Sequence, residues 1–129
     1  MLAQEQRDAI RHVLQTIPGL YFAILYGSAA RGGPFRDVDI GLFVDRQTIT
    51  PDDDFVVCFD LERRLRRVVP FPVDVRVINE ASLAFRYNVS KGAPLLVNDD
   101  DVYTRFLEYT WDRYLDFAPV AMAYVRAIV

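Results

Sequence analysis

The sequence predicts an α/β sandwich, with strands and helices alternating along the chain. Three observations predict it. Short apolar runs rich in aromatic or β-branched residues stand at 20–26, 37–44 and 72–78. Segments of helical spacing lie before, between and after them, and proline, glycine or acidic clusters mark the joints. At 129 residues, with 52% hydrophobic and 26% charged residues, the chain is long enough to bury a core without staples and is expected to form one domain over 1–129.

In order, residues 3–16 place Ile10, Val13, Leu14 and Ile17 at helical spacing, and Pro18-Gly19 stops that helix. LYFAILY, 20–26, reads as a buried strand, ended by Gly27-Ser28 and a short helical turn near Ser28–Arg31. DVDIGLFV, 37–44, alternates Asp37 and Asp39 with Val38, Ile40 and Leu42, the period of a strand. Thr50-Pro51-Asp52-Asp53-Asp54 is a helix start: a capping hydroxyl, a first-turn proline, and acids against the positive helix end. That helix is expected to reach about Val68, with Pro70 and Pro72 closing it. PVDVRVI, 72–78, is a third strand. Asn79 is expected to cap a helix from about Glu80 to Lys91, with Gly92 in its C-terminal turn. Leu95–Val97 reads as a short fourth strand. Asn98 and three aspartates then open a long last helix, which Pro119 is expected to kink or break.

Composition bounds the partners. Fifteen basic against eighteen acidic residues give a net charge of −3, which argues against duplex nucleic acid, whose binding needs a basic face. One cysteine, Cys58, excludes an internal disulfide, and with one histidine, His12, a zinc site would have to rest on carboxylates. No apolar run is long enough to span a bilayer, and the polar N-terminus is no signal peptide, so the cytoplasm is the expected compartment and no membrane partner is expected.

The chemistry concentrates in LYGSAARGGPFRDVDI. A buried strand ending in Gly-Ser and turning at once into a helical turn points backbone N–H groups at an anion. Gly27 lets a phosphate approach the main chain, the Ser28 hydroxyl can donate to a phosphate oxygen, and Arg31 can reach the same region with its guanidinium. Alone, this pattern is what many strand ends look like. Asp37 and Asp39 sharpen it, because side chains at i and i+2 of a strand project from one face. Two such carboxylates repel unless a cation lies between them, and magnesium takes hard oxygen ligands alongside substrate phosphates. Asp74 interrupts the apolar strand 72–78, sharing its face with Arg76. If that strand lies beside 37–44, Asp74 completes a carboxylate triad in which two acids hold metal and the third deprotonates a hydroxyl. Asp52–Asp54 and Asp99–Asp101 read instead as capping clusters at helix starts. The basic stretch Glu62–Arg67 reads as a solvated helix face. Tyr103, Phe106, Tyr109, Trp111, Tyr114 and Phe117 do not fit one narrow stripe of the last helix, so some are expected in the core and the surplus in an interface.

GSAARG, then DVD, then an apolar strand with one acid, resembles the DNA polymerase β-like nucleotidyltransferase superfamily. Within it the chain looks like the minimal nucleotidyltransferases, the antitoxins of HEPN/MNT toxin–antitoxin pairs, over nearly its whole length, including FRYNVSKGAPLLVNDDDVYTRF. The resemblance implies a mixed β-sheet flanked by helices with a long C-terminal helical segment. It also implies Mg²⁺-dependent transfer of AMP from ATP to a hydroxyl, with a tyrosine of a HEPN-type toxin as the expected acceptor. Carried over by position, Gly27 and Ser28 would hold the triphosphate, Arg31 matches a basic position after them, Asp37 and Asp39 would bind Mg²⁺, and Asp74 would be the third carboxylate. Two departures stand out. Eight residues separate Ser28 from Asp37, a shorter loop than is usual, and Arg36 stands where serine is usual before the first aspartate. Two alternatives stay open: a non-catalytic antitoxin that neutralises its toxin by binding, and a transferase acting on RNA or a small molecule. The oligomeric state is open too, a homo-oligomer included.

Overall fold

The structure, a computed structural model, describes residues 2–128. Among them the chain forms α1 (Gln4–Leu14), β1 (Leu20–Tyr26), β2 (Val38–Val44), α2 (Asp54–Arg66), β3 (Val73–Val77), α3 (Leu83–Ser90), β4 (Ala93–Val97) and α4 (Asp100–Ile128). The four strands make one mixed sheet in the order β3-β2-β1-β4. β1 is antiparallel to both β2 and β4, and β2 is parallel to β3, as the long α2 crossover between them requires.

Strand alternation sorts the core into two layers. Ala23, Leu25, Ile40, Leu42, Val73 and Val75 face Ile10 and Leu14 of α1 and Leu61 and Leu65 of α2. Phe22, Ile24 and Tyr26 face the other way, with Val89 of α3 and Phe106 of α4. Phe22 is fully buried in a ring cluster, 5.0 Å from Tyr103 and 5.1 Å from Phe106. Of the aromatics on α4, then, Tyr103 and Phe106 belong to the core, while Tyr109, Trp111 and Phe117 are exposed. Leu95–Val97 is a true strand, extended back to Ala93, and Gly92 is required where it begins: a Cβ there would lie 2.1 Å from the Leu25 carbonyl oxygen.

Three local expectations need correction. Asn79 does not cap α3. Its amide accepts from the Val44 N–H at 2.9 Å and donates to the Val44 carbonyl at 2.8 Å, closing the end of β2. The cap of α3 is Ser82, whose Oγ accepts from the Phe85 N–H at 3.2 Å, so the helix starts at Leu83. Thr50 likewise makes no side-chain cap; its hydroxyl turns to the Asp53 carboxylate, a single 3₁₀ turn over Pro51–Asp53 intervenes, and α2 begins at Asp54. Asp54 itself is held by Arg46 at 2.7 Å in an ion-pair group that includes Glu80. By contrast Asp99 caps α4 as expected, accepting from the Val102 N–H at 3.0 Å. Pro119 does not break α4, which continues to Ile128. The proline lies on an exposed stretch, where water can satisfy the carbonyl that its missing N–H leaves open.

The basic stretch of α2 is not wholly solvated. Glu62 accepts from the Val75 N–H at 2.9 Å and so covers part of the open edge of β3, and Arg64 donates to the Thr16 hydroxyl at 2.7 Å.

Candidate functional site

Parallel pairing of β2 with β3 puts Asp39 directly opposite Asp74, although 35 positions separate them in sequence. Antiparallel pairing with β1 puts Tyr26 opposite Asp39 on its other side. The three residues lie at one end of the sheet, on the α3 face. Asp37 precedes the first residue of β2 and is exposed.

Asp39 feels the charge of both other carboxylates. The Asp39 carboxyl is raised above its ordinary range, first by burial, then by the negative charges of Asp74 and Asp37. Arg76 offsets part of this. It lies two residues along β3 on the same face as Asp74, and its Nε is 3.2 Å from the Asp74 carboxylate. Its guanidinium also sits 5.7 Å from the centre of the Phe85 ring. Burial pushes the Tyr26 hydroxyl up to about 12, with Asp39 adding to it, so this phenol stays protonated beside the acids.

Gly27 has a role the sequence did not reveal. Its φ is +76°, and a Cβ would fall 2.5 Å from Oδ2 of Asp39. The bare Cα therefore makes room first for the Asp39 carboxylate, and it does so where the chain must turn left-handed. Beyond it, the expected helical turn is a pair of tight turns, with Ala30 N–H donating to the Gly27 carbonyl and Arg31 N–H to that of Ser28, both at 3.2 Å.

The predicted phosphate-binding residues are divided between two neighbouring clefts. Gly27 and Arg31 line one of about 200 Å³, together with Ala30, Asn88, Lys91 and Gly92. Ser28 lines the other with Pro34, Phe35, Arg36 and Asp37. Arg36, the residue that replaces the usual serine, thus stands beside Ser28 and Asp37. Sequence reasoning placed neither Asn88 nor Lys91 at the site. The available signal was that Lys91 is the sole lysine in a chain whose other cations are arginines.

Among the described residues no three carboxylate, imidazole or thiol groups form a ready metal cage. Magnesium does not need one: it usually keeps several waters and takes one or two carboxylates plus substrate phosphates. A pair of neighbouring carboxylates, one with its proton affinity raised first by burial and then by the acids beside it, has the donor chemistry for such an ion.

The polymerase beta, nucleotidyltransferase family model matches residues 8–102, which include Asp37, Asp39, Asp74 and the strand-end turn. The chain belongs to the polymerase β nucleotidyltransferase family. No curated protein matches it by sequence. Several solved structures share the nucleotidyltransferase fold at low identity. A chain of the MntA-HepT toxin–antitoxin pair superposes with a TM-score of 0.72 at 20% identity, covering 98% of each chain. A chain of a toxin–antitoxin complex with AMP-PNP gives 0.71 at 20% identity, covering 95% of this chain and 97% of that one. A chain from the tri-AMPylated Shewanella oneidensis HEPN toxin in complex with MNT antitoxin gives 0.72 at 21% identity, covering 97% of both. The expected mixed sheet flanked by helices is thus the nucleotidyltransferase architecture, and the long α4 is the expected C-terminal helix.

Proposed function

We propose that this nucleotidyltransferase is an MNT-type antitoxin that transfers AMP from ATP, with Mg²⁺, to a hydroxyl of a HEPN-type toxin, a tyrosine being the expected acceptor. The observation that carries the proposal is the pairing of Asp39 with Asp74 beside Gly27, within a chain whose fold matches toxin–antitoxin structures containing AMP-PNP or an AMPylated toxin.

In this reading Asp37 and Asp39 hold Mg²⁺, with Asp74 as the third carboxylate. The bound ion would neutralise phosphate charge and orient the α-phosphate. Asp74, part-exposed at the sheet end, takes the proton of the attacking hydroxyl. Arg76 holds Asp74 in place and compensates the acids when no cation is bound. Gly27, Ser28 and Arg31 hold the triphosphate. Tyr26 stays neutral and walls the acids off from the core.

A protein acceptor also fits the surface. Leu115, Phe117, Val120, Met122, Tyr124 and Val125 of α4 are each more than half exposed, an apolar stretch that favours a protein partner over RNA or a small molecule. That surface would equally serve an antitoxin acting by binding alone, so transfer itself must be measured. ATP labelled at the α-phosphate should leave label on the toxin in the presence of Mg²⁺, whereas γ-labelled ATP should leave none. Label from the γ-position would contradict nucleotidyl transfer. Ser28→Ala should fold normally and weaken ATP binding by about tenfold, the loss of one charge-assisted hydrogen bond. Calorimetric titration with ATP checks this, and unchanged affinity would remove Ser28 from the phosphate site.

A further inference from the structure

We infer that Lys91, with Arg31 opposite it, grips the β- and γ-phosphates of the bound nucleotide and stabilises the pyrophosphate that leaves. The inference rests on the nucleotidyl-transfer reading and deepens it. The cleft of about 200 Å³ lies between the turn after β1 and the C-terminal end of α3. Gly27 belongs both to this cleft and to the Asp39 contact, so a phosphate chain whose α-phosphate lies at the carboxylates can continue past Gly27 into it.

The cleft's charge is the second observation. Neither Arg31 nor Lys91 pairs with a carboxylate among the described residues, so two positive charges line one small concavity without compensation. An isolated lysine on a solvated face needs no explanation, but here its stem is placed. The Lys91 Nζ lies 5.1 Å from the centre of the Tyr87 ring, and Tyr87 stacks on Tyr114 of α4 at 3.8 Å. Gly92, where any Cβ would collide with the Leu25 carbonyl oxygen, lets the chain after the lysine lie close against β1. Asn88, one turn earlier on α3, adds a neutral donor to the same cleft.

The chemistry needs such a site. The acceptor oxygen forms a bond to the α-phosphorus while the bond from that phosphorus to the α,β-bridging oxygen breaks. The electron pair goes to the departing pyrophosphate and the acceptor proton to Asp74. Negative charge thus grows on the leaving group, and fixed cations there lower the barrier. A lysine supplies this as a point charge with rotatable donors.

Calorimetric titrations of the full chain with ATP, inorganic pyrophosphate and AMP, each with Mg²⁺, test this. Lys91→Met should weaken ATP and pyrophosphate by about tenfold and leave AMP unchanged, as loss of one ion-paired donor predicts. Lys91→Arg should restore most of both. Because Lys91 is exposed, the methionine variant should melt like wild type, which serves as the folding control. If wild type binds ATP and pyrophosphate and Lys91→Met binds both equally well, the assignment of Lys91 falls while the transfer reading stands. Equal weakening toward AMP would also overturn it, by placing Lys91 on the nucleoside end. If wild type binds neither ATP nor pyrophosphate, the reading of the site falls and this inference with it.

Discussion

Asp39→Asn is expected to reduce AMP transfer by roughly a hundred- to a thousandfold, the scale on which loss of one preorganised charge-stabilising group acts. It should also remove most of the rise in melting temperature that Mg-ATP gives the wild type. The reason lies in its surroundings: Asp39 faces Asp74 across the β2–β3 pair, feels Asp37 from the same strand end, and abuts Gly27. Without ligand the same substitution should stabilise the fold. The Asp39 carboxyl is raised in the folded chain, so its ionised form is unfavourable there. Between the ordinary carboxylate value, about 3.9, and the raised folded one, the native state binds more protons than the unfolded state. Stability from this group therefore falls as pH rises through that window, and the cost persists above it. The asparagine variant carries no such cost. Thermal denaturation should show it more stable than wild type near pH 7, with the difference shrinking as pH falls toward about 4. A variant less stable than wild type at neutral pH, with Mg-ATP stabilisation intact, would contradict both roles.

Asp74→Asn should separate binding from chemistry. The substitution keeps the shape of the side chain and its place opposite Asp39, but removes the carboxylate that is to take the acceptor's proton. Transfer should fall by about 10²–10⁴, the range for a lost general base, while ATP affinity changes much less. Asp37→Asn, in contrast, should weaken both. Single-turnover transfer and ATP titration on the same preparation give the split. Transfer by Asp74→Asn at the wild-type rate would remove it as the base and leave the Asp37–Asp39 pair as the working carboxylates.

Of the two aspartates of DVD, Asp39 was legible from strand alternation, whereas Asp37 stands in a bend just before β2, where the alternation expected to put both on one face no longer applies. Asp74 was legible as an anomaly, an acid in an apolar strand, but its place beside Asp39 depends on which strands pair. Only the parallel register of β2 with β3 supplies that. The cap of α3 was misread because Asn79 and Ser82 are both good caps by type. The choice between them was made by Val44, whose backbone N–H and C=O engage the Asn79 amide. Lys91 was passed over for a similar reason. Its significance lies in Arg31 and Gly27 across the cleft, and nothing in the spacing of residues 27–31 and 91 announces that they meet. Gly27 was read as an opening for phosphate; that its Cα is pressed by Asp39 follows from β1–β2 register and not from the Gly-Ser pair.

The most direct test of the central claim is intact-mass spectrometry of the HEPN-type toxin after incubation with this protein and Mg-ATP, with Asp39→Asn in parallel. The account predicts a toxin heavier by the mass of AMP less water, in one or more steps, on a hydroxyl-bearing residue, and no addition with the variant. A tight toxin complex that stays unmodified with every divalent metal and nucleoside triphosphate tried would contradict transfer and leave an antitoxin that works by binding.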